Sequence, residues 1–293
     1  MLYFSRIQYK ETRFLLYNRN MSWRSSCIHI CGAARNCEPY LDAVFSNITR
    51  ITDLFADFHI IIAFDVSEDE TLLKLMQYKE KFEGKMDVLV NQNLLSSRRT
   101  ENIANARNSI LNKIRERESP SEYFIMMDMD SVCSGPMNID VFKRAMDRSD
   151  QWDSVSFNRH GYYDLWALSI DKYIYSCEGW HVHWQVVEHM REYIVDKLRK
   201  ISEDEFAECR SAFNGFAVYR TAKFLDCHYD WRMPKQYMKL DDLLEQQRIL
   251  WGVGSKSPLD VQTDEPDCEH RAFHMMAEAK NGTRIRICPE CLF

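Results

Sequence analysis

The chain has 293 residues, 45% hydrophobic and 28% charged, a globular mixture large enough for one sizeable α/β domain. Its 38 Lys and Arg against 44 Asp and Glu give a formal charge of -6, which argues against a nucleic-acid partner. Nine Gly and seven Pro exclude collagen-like and linker-rich chains, and no run nears the roughly 20 apolar residues of a membrane span.

Residues 1–24 mix apolar pairs with charges and read as an irregular N-terminal extension. They lack the apolar core of a signal peptide, so the default expectation is a cytoplasmic chain. The ten cysteines are scattered and are expected to be mostly buried thiols. A strand over Ser26–Ile30 is expected to lead into a loop, Gly32 to Asn36. Pro39 then opens a helix with Leu41, Val44, Phe45, Ile48, Ile51 and Phe55 at helical spacing. His59–Phe64 is a continuous apolar run of the buried-strand kind and ends at Asp65. A helix over Asp69–Phe82 is expected to turn Leu72, Leu73, Met76 and Phe82 inward, and Met86–Val90 reads as a third strand. Thr100 is placed to cap a helix reaching Arg117, with Ile103, Ile110 and Ile114 on one face. Arg107 falls on that same face, so its guanidinium needs an anionic partner, either an Asp of the chain or a phosphate. Asn108 projects about 100° away and does not share that role. Tyr123–Met127 follows as another buried strand.

This alternation predicts an α/β fold with a mixed, mostly parallel sheet, right-handed crossovers and flanking helices. The second half is less regular, with helices expected over Ile139–Asp147, His181–Arg199 and Leu240–Ile249. Short strands fit near Ser154–Phe157, Gly215–Tyr219 and Thr283–Ile287. One domain spans 25–293, a nucleotide-binding half over 25–135 and an acceptor half over 136–293.

The strongest local signal is Tyr123-Phe124-Ile125-Met126-Met127-Asp128-Met129-Asp130. Two carboxylates appear where a buried parallel strand leaves the sheet, which is where open α/β sheets bind ligands. Two residues apart in extended backbone, they leave on the same side. Like charges so placed call for a cation, and hard oxygen ligands favour Mg²⁺ or Mn²⁺ bridging to a diphosphate. The plainer reading is a strand-ending Asp that caps the next turn.

The apolar strand, the D-x-D and the upstream Arg107-Asn108 resemble nucleotide-sugar-dependent glycosyltransferases of GT-A fold. Tyr162-Tyr163-Asp164-Leu165-Trp166 resembles the Y-D-x-W segment of fungal capsule-associated mannosyltransferases and related viral and microbial enzymes. Phe213-Asn214-Gly215 resembles their W-N-G strand, and Cys268-Glu269-His270 their C-E-H element. The resemblance covers about residues 26–290, with its motifs in the expected order. It implies transfer of a hexose or related sugar from a UDP- or GDP-linked donor to a glycan or protein-linked acceptor, with divalent metal. It makes Asp128 and Asp130 the metal and ribose carboxylates and His270 a further metal or phosphate ligand. Gly32, Ala33 and Arg35 would meet the nucleotide, with Arg107 reaching the pyrophosphate. In the segment after the second strand Phe64 stands where such enzymes carry Glu, and Asp65 can substitute. Glu269 is the candidate general base, taking the acceptor proton, against the plainer reading that it merely starts a helix; Asp164 is the second candidate catalytic carboxylate, accepting hydrogen bonds from acceptor hydroxyls. Tyr163, Trp166, Asn214 and Gly215 would line the acceptor side. Inverting and retaining courses both stay open.

Three rivals compete. Cys268, His270, His274, Cys288 and Cys291 have spacings from which a structural zinc site can be built. A nucleotidyltransferase also uses paired carboxylates on an α/β sheet, but normally adds a Gly-rich basic loop after the first strand. A non-catalytic sugar-binding relative would share the fold.

Overall fold

The computed structural model describes residues 23–93, 96–117, 120–174, 184–250 and 266–293. Strand β1 (Cys27–Ala34) is followed by α1 (Leu41–Thr52), β2 (Asp57–Asp65), α2 (Thr71–Lys81), β3 (Met86–Asn91), α3 (Arg99–Arg115) and β4 (Tyr123–Asp128). The second half adds α4 (Ile139–Asp147), β5 (Ser154–Asn158), α5 (Trp184–Lys200), β6 (Ala207–Cys209) and β7 (Phe216–Arg220). A four-residue turn of helix, α6 (Thr221–Phe224), then leads to α7 (Leu240–Leu250), α8 (Glu269–Asn281) and β8 (Ile285–Cys291). Among the described residues, no helix is long and apolar enough to cross a membrane.

The eight strands among the described residues form one sheet in the order β3-β2-β1-β4-β7-β5-β8-β6. The pairings β3-β2, β2-β1, β1-β4 and β5-β8 are parallel; β4-β7, β7-β5 and β8-β6 are antiparallel. The sheet is therefore mixed, with a narrow parallel majority, and its regular βα half is the one whose periodicity is plainest. Period-two alternation divides the central strands between two cores. Ile28, Ile30, Ile60, Ile62, Ile125 and Met127 face Val44, Phe45, Ile48 and Ile51 of α1. Cys31, Ile61, Ala63, Phe124 and Met126 face Ile110, Leu111 and Ile114 of α3 and Phe273 of α8. Each aliphatic side chain so enclosed contributes about 1.5–3 kcal/mol.

Several expectations need correction. Trp23, placed in the expected extension, is buried in the first core and its indole donates to Asp147 Oδ1 at 2.8 Å; residues 1–22 lie outside the described residues. Strand β1 runs on to Ala34, so Gly32 belongs to the sheet and not to a loop. On α2, Leu73 and Met76 are exposed while Leu75 is fully buried, because the inward face runs along Thr71, Leu75 and Tyr78. Leu72 and Phe82 are half-buried against the first core, as expected. Thr100 lies inside α3 rather than capping it; Arg98 is the cap residue, and Asn102 closes the preceding turn through Ser96. The start of the helix expected at His181 lies outside the described residues. Strand β6 had no periodic signal, since three residues are too few to show one. The nine described cysteines are all free thiols, six of them buried.

Gly215 is fixed by both conformation and space. Its φ of +87° suits glycine, and a Cβ there would lie 2.4 Å from Val132 Cγ1. Gly161, with φ +72°, would meet nothing within 4 Å. Gly161→Ala is thus expected to cost about 1 kcal/mol and Gly215→Ala about 2–4 kcal/mol. Chemical denaturation of the two variants checks this; equal losses would show that the Val132 contact is unimportant.

Candidate active site

Strands β1, β2 and β4 are mutually parallel, so their carboxyl ends open on one edge of the sheet. The chain leaves β1 for β2 on one side, and β4 pairs on the other, which makes this edge a switch point. A cleft of about 320 Å³ lies there, a size suited to a small-molecule ligand.

Three elements supply its floor. Arg99, Ile103 and Arg107 recur every four residues along α3 and form one stripe facing the cleft. Strand β4 delivers Asp128 at its end and Asp130 just beyond, and both line the cleft. The first turn of α8 delivers Glu269 and His270. Arg107, 5% exposed, joins the three: Nη2 donates to Asp128 Oδ1 at 3.1 Å, and Nη1 contacts both Glu269 Oε1 and His270 Nε2. Its guanidinium lies over Phe213, 4.7 Å from the ring centroid, while Nε is buried without a hydrogen-bond partner. The anionic partner required by helical periodicity is therefore a pair of carboxylates, Asp128 on the next strand and Glu269 on a distant helix. Asn108, turned away as expected, exchanges two hydrogen bonds of 2.8 Å with the backbone of Tyr229.

The acidic pair is held differently at each member. Asp128 N donates to Gly215 O at 2.9 Å, the last bond of the ladder. Asp130 Oδ1 accepts from Val132 N at 2.9 Å, so this carboxylate does cap the next turn while still lining the cleft. Burial, with Asp130 and Asp164 nearby, pushes the Asp128 carboxyl up to about 7, against the pull of Arg107 and Arg99. Crowded hard-oxygen donors of this kind suit a divalent cation that also takes oxygens from its ligand. Among the described residues, no three His, Cys, Asp or Glu side chains gather to hold a metal by themselves.

That finding corrects two expectations. His270 is not presented to a cation: its Nε2 faces Arg107, its ring stacks on Phe213 at 3.7 Å, and burial with Arg107 holds its pKa far below the usual value. The C-terminal zinc site does not assemble either. His274 shares hydrogen bonds of 3.0 Å with Ser211 and Tyr219, and Cys288 and Cys291 ride on β8.

The remaining expected residues divide cleanly. Ala33, Arg35, Asp65, Tyr163, Asp164 and Trp166 line the cleft. Asp65 is buried and accepts from Asn91 Nδ2 at 3.0 Å, while Tyr163 is an exposed aromatic at 46% accessibility. Gly32, Asn214 and Gly215 do not line it. A Cβ on Gly32 would lie 2.6 Å from Met129, so this glycine admits a side chain of the D-x-D loop rather than a nucleotide. Asn214 spends its amide on structure, donating to Phe157 O and accepting from Asp164 N, both at 2.9 Å. Gly215 seats Val132 and receives Asp128 N and Cys133 Sγ. These two residues shape the site from behind. Sequence reasoning missed Arg99, Asn102 and Ile103 on the cleft wall, although the four-residue spacing to Arg107 was a usable signal for Arg99 and Ile103.

No family model and no curated protein matches this sequence. Among solved structures it is similar to S. aureus TarS, with 16% identity and a TM-score of 0.43 over 89% of this chain and 34% of that one. It is similar to the Pyrobaculum calidifontis mannosyltransferase PcManGT in complex with GDP-Man and Mn²⁺, with 11% identity and a TM-score of 0.42 over 98% and 66% of the two chains. Mycobacterium tuberculosis glucosyl-3-phosphoglycerate synthase, in complex with Mn²⁺, UDP and phosphoglyceric acid, gives 13%, 0.41, 70% and 58% for the same quantities. The chain spans between about a third and two thirds of the length of these proteins.

The Asp128 carboxyl makes stability depend on pH in a defined direction. Its folded pKa of about 7 exceeds the ordinary 3.8, so between these values the folded state binds more protons than the unfolded one. The group therefore lowers stability as pH rises from about 4 to 7. Asp128→Asn is expected to melt above wild type at pH 8, by an amount that shrinks as pH falls toward 4. Melting curves at three pH values check the sign; a variant less stable at pH 8 would refute it.

Proposed function

We propose that this protein is a glycosyltransferase that moves a hexosyl group from a UDP- or GDP-linked sugar to a hydroxyl of a glycan or protein-linked acceptor. One observation carries the reading. The paired carboxylates Asp128 and Asp130 leave a buried parallel strand into a cleft shared with Arg107, Glu269 and the Tyr163–Trp166 segment. The cleft's charge supports it too. Asp65, Asp128, Asp130, Asp164 and Glu269 outnumber Arg35, Arg99 and Arg107, so an anionic diphosphate needs a divalent cation to enter.

Asp128 and Asp130 would hold Mn²⁺ or Mg²⁺, which when bound neutralises charge on the departing diphosphate. Arg35 and Arg99, both exposed on the cleft wall, supply cationic groups for phosphate oxygens. Asp65 at the end of β2 offers a carboxylate to a nucleoside. Tyr163 and Trp166 present aromatic surface on which a sugar face can stack. In the transfer the acceptor O–H bond breaks and its oxygen bonds to the anomeric carbon. The nucleoside diphosphate departs with the electrons of the broken C–O bond. Asp164 receives the proton, since Glu269 directs an oxygen at Arg107 whereas Asp164 stands beside the aromatic pair. Glu269 then serves to orient the guanidinium.

Release of free UDP or GDP from UDP-glucose and GDP-mannose with Mn²⁺ tests this reading. Asp128→Ala and Asp130→Ala are each expected to lower the rate by about 100-fold or more while the chain stays folded. Arg107→Met should raise the donor KM, whereas Asn108→Ala should lower the melting temperature and leave the donor KM nearly unchanged. No release from any nucleotide sugar, or unaltered rates in both Asp variants, would overturn the assignment. Pyrophosphate formed from a nucleoside triphosphate and a sugar phosphate would point to a nucleotidyltransferase instead.

A further inference from the structure

Arg271 is fully buried, two residues beyond Glu269 on the first turn of α8. Its Nε donates to the equally buried Asp267 Oδ2 at 2.8 Å, one helical turn earlier. Its two terminal nitrogens converge on one stretch of chain: Nη1 donates to Leu168 O at 3.0 Å, Ile174 O at 3.1 Å and the Ser169 hydroxyl, and Nη2 to Trp166 O. A buried guanidinium is tolerated only when its donors are satisfied, and here main-chain oxygens take most of them. The segment they belong to has no helix or extended ladder to shape it, only isolated bridges at Ser169 and Ile170. Its course near the cleft is set by bonds from elsewhere, chiefly Asn214 to Asp164 N and Arg271 to Trp166 O.

We propose that Arg271 is a positioning residue for the acceptor side of the cleft. By fixing the Trp166 carbonyl it sets the direction of the Trp166 side chain and the place of Asp164. It also couples that side to the donor side, because the helical turn carrying Arg271 carries Glu269 and His270, which engage Arg107 and through it Asp128. Lysine cannot replace it: an ammonium has three tetrahedral donors and lacks the planar fork that reaches Asp267 and the carbonyls together. The proposal rests on the glycosyltransferase reading for its functional consequence, but the positioning itself does not.

The test compares wild type with Arg271→Lys by amide hydrogen exchange over residues 163–174, with and without UDP or GDP and Mn²⁺. In wild type, nucleotide is expected to slow exchange in this segment. In Arg271→Lys the segment should exchange faster and lose its response to nucleotide, while nucleotide affinity stays within about threefold. With methyl α-mannoside or methyl α-glucoside as acceptor, the acceptor KM should rise about tenfold and kcat change less than threefold. Unchanged exchange over 163–174 would overturn the proposal. So would equal losses of nucleotide affinity, kcat and melting temperature, which mark a merely structural arginine. Failure of wild type to bind either nucleotide would remove the donor reading, and the exchange rates without nucleotide would still decide the positioning. Should Arg271→Lys not fold, Ser169→Ala removes one of the arginine's acceptors and should shift exchange the same way, by less.

Discussion

The site depends on a single buried guanidinium. Arg107 sits on the apolar face of α3 and is satisfied only because β4 brings Asp128 and α8 brings Glu269 to it. Strand β4 follows α3 directly, but 162 residues separate Arg107 from Glu269, so that contact is a test of correct assembly. Removing the guanidinium from such a cluster typically costs about 3–5 kcal/mol, since the carboxylates beside it are left buried without their cation. The ring faces of Phe213 and Tyr229 flank the cation and exclude water from one side. The arrangement is rigid there and open toward the cleft, where Asp130, Asp164 and the arginines Arg35 and Arg99 remain to meet a ligand.

That openness carries a cost in stability. Burial, with its carboxylate neighbours, pushes Asp128 toward protonation, and the sheet tolerates this because two apolar cores hold its strands from both faces. The same division of labour appears at the glycines. Gly32 and Gly215 admit Met129 and Val132 so closely that the loop carrying the acidic pair is clamped between β1 and β7. Residues that never touch the cleft thereby fix the geometry of those that line it.

Much of this was legible in the sequence, for definable reasons. The runs at Ile60–Phe64 and Tyr123–Met127 are unbroken by charge because both faces of those strands are covered, and such runs announce themselves. Arg107 stood out because a charge on an apolar stripe demands a partner. The partner's identity was not legible, since Glu269 and Asp128 reach it only through tertiary packing. Asn214 and Gly215 were read as ligand contacts because motif position says nothing about whether a side chain points into a cleft or behind it. His270 and His274 lie on one helix at a spacing that suits metal, and only their neighbours Arg107, Phe213, Ser211 and Tyr219 show where their nitrogens go. Arg271 was overlooked: its four-residue spacing from Asp267 suits an ion pair, but in Asp267-Cys268-Glu269-His270-Arg271 a charge among polar neighbours gives no sign of burial.

The insertion of β8 between β5 and β6 bears on how the chain is made. Strands β1 to β3 can pair as they emerge during synthesis through local crossovers, and β4 then returns across them to the free edge of β1. The far edge of β4 then waits for β7, and the second half of the sheet waits for a strand encoded some 130 residues after the β5 it pairs with. Until Glu269 arrives with α8, the guanidinium of Arg107 has only Asp128 to meet. A truncated or stalled product would thus display an apolar strand edge and an unfinished cation site, both of the kind that chaperones and proteases sample. Competence to bind a ligand in the cleft is, in this architecture, gained at the last stage of folding.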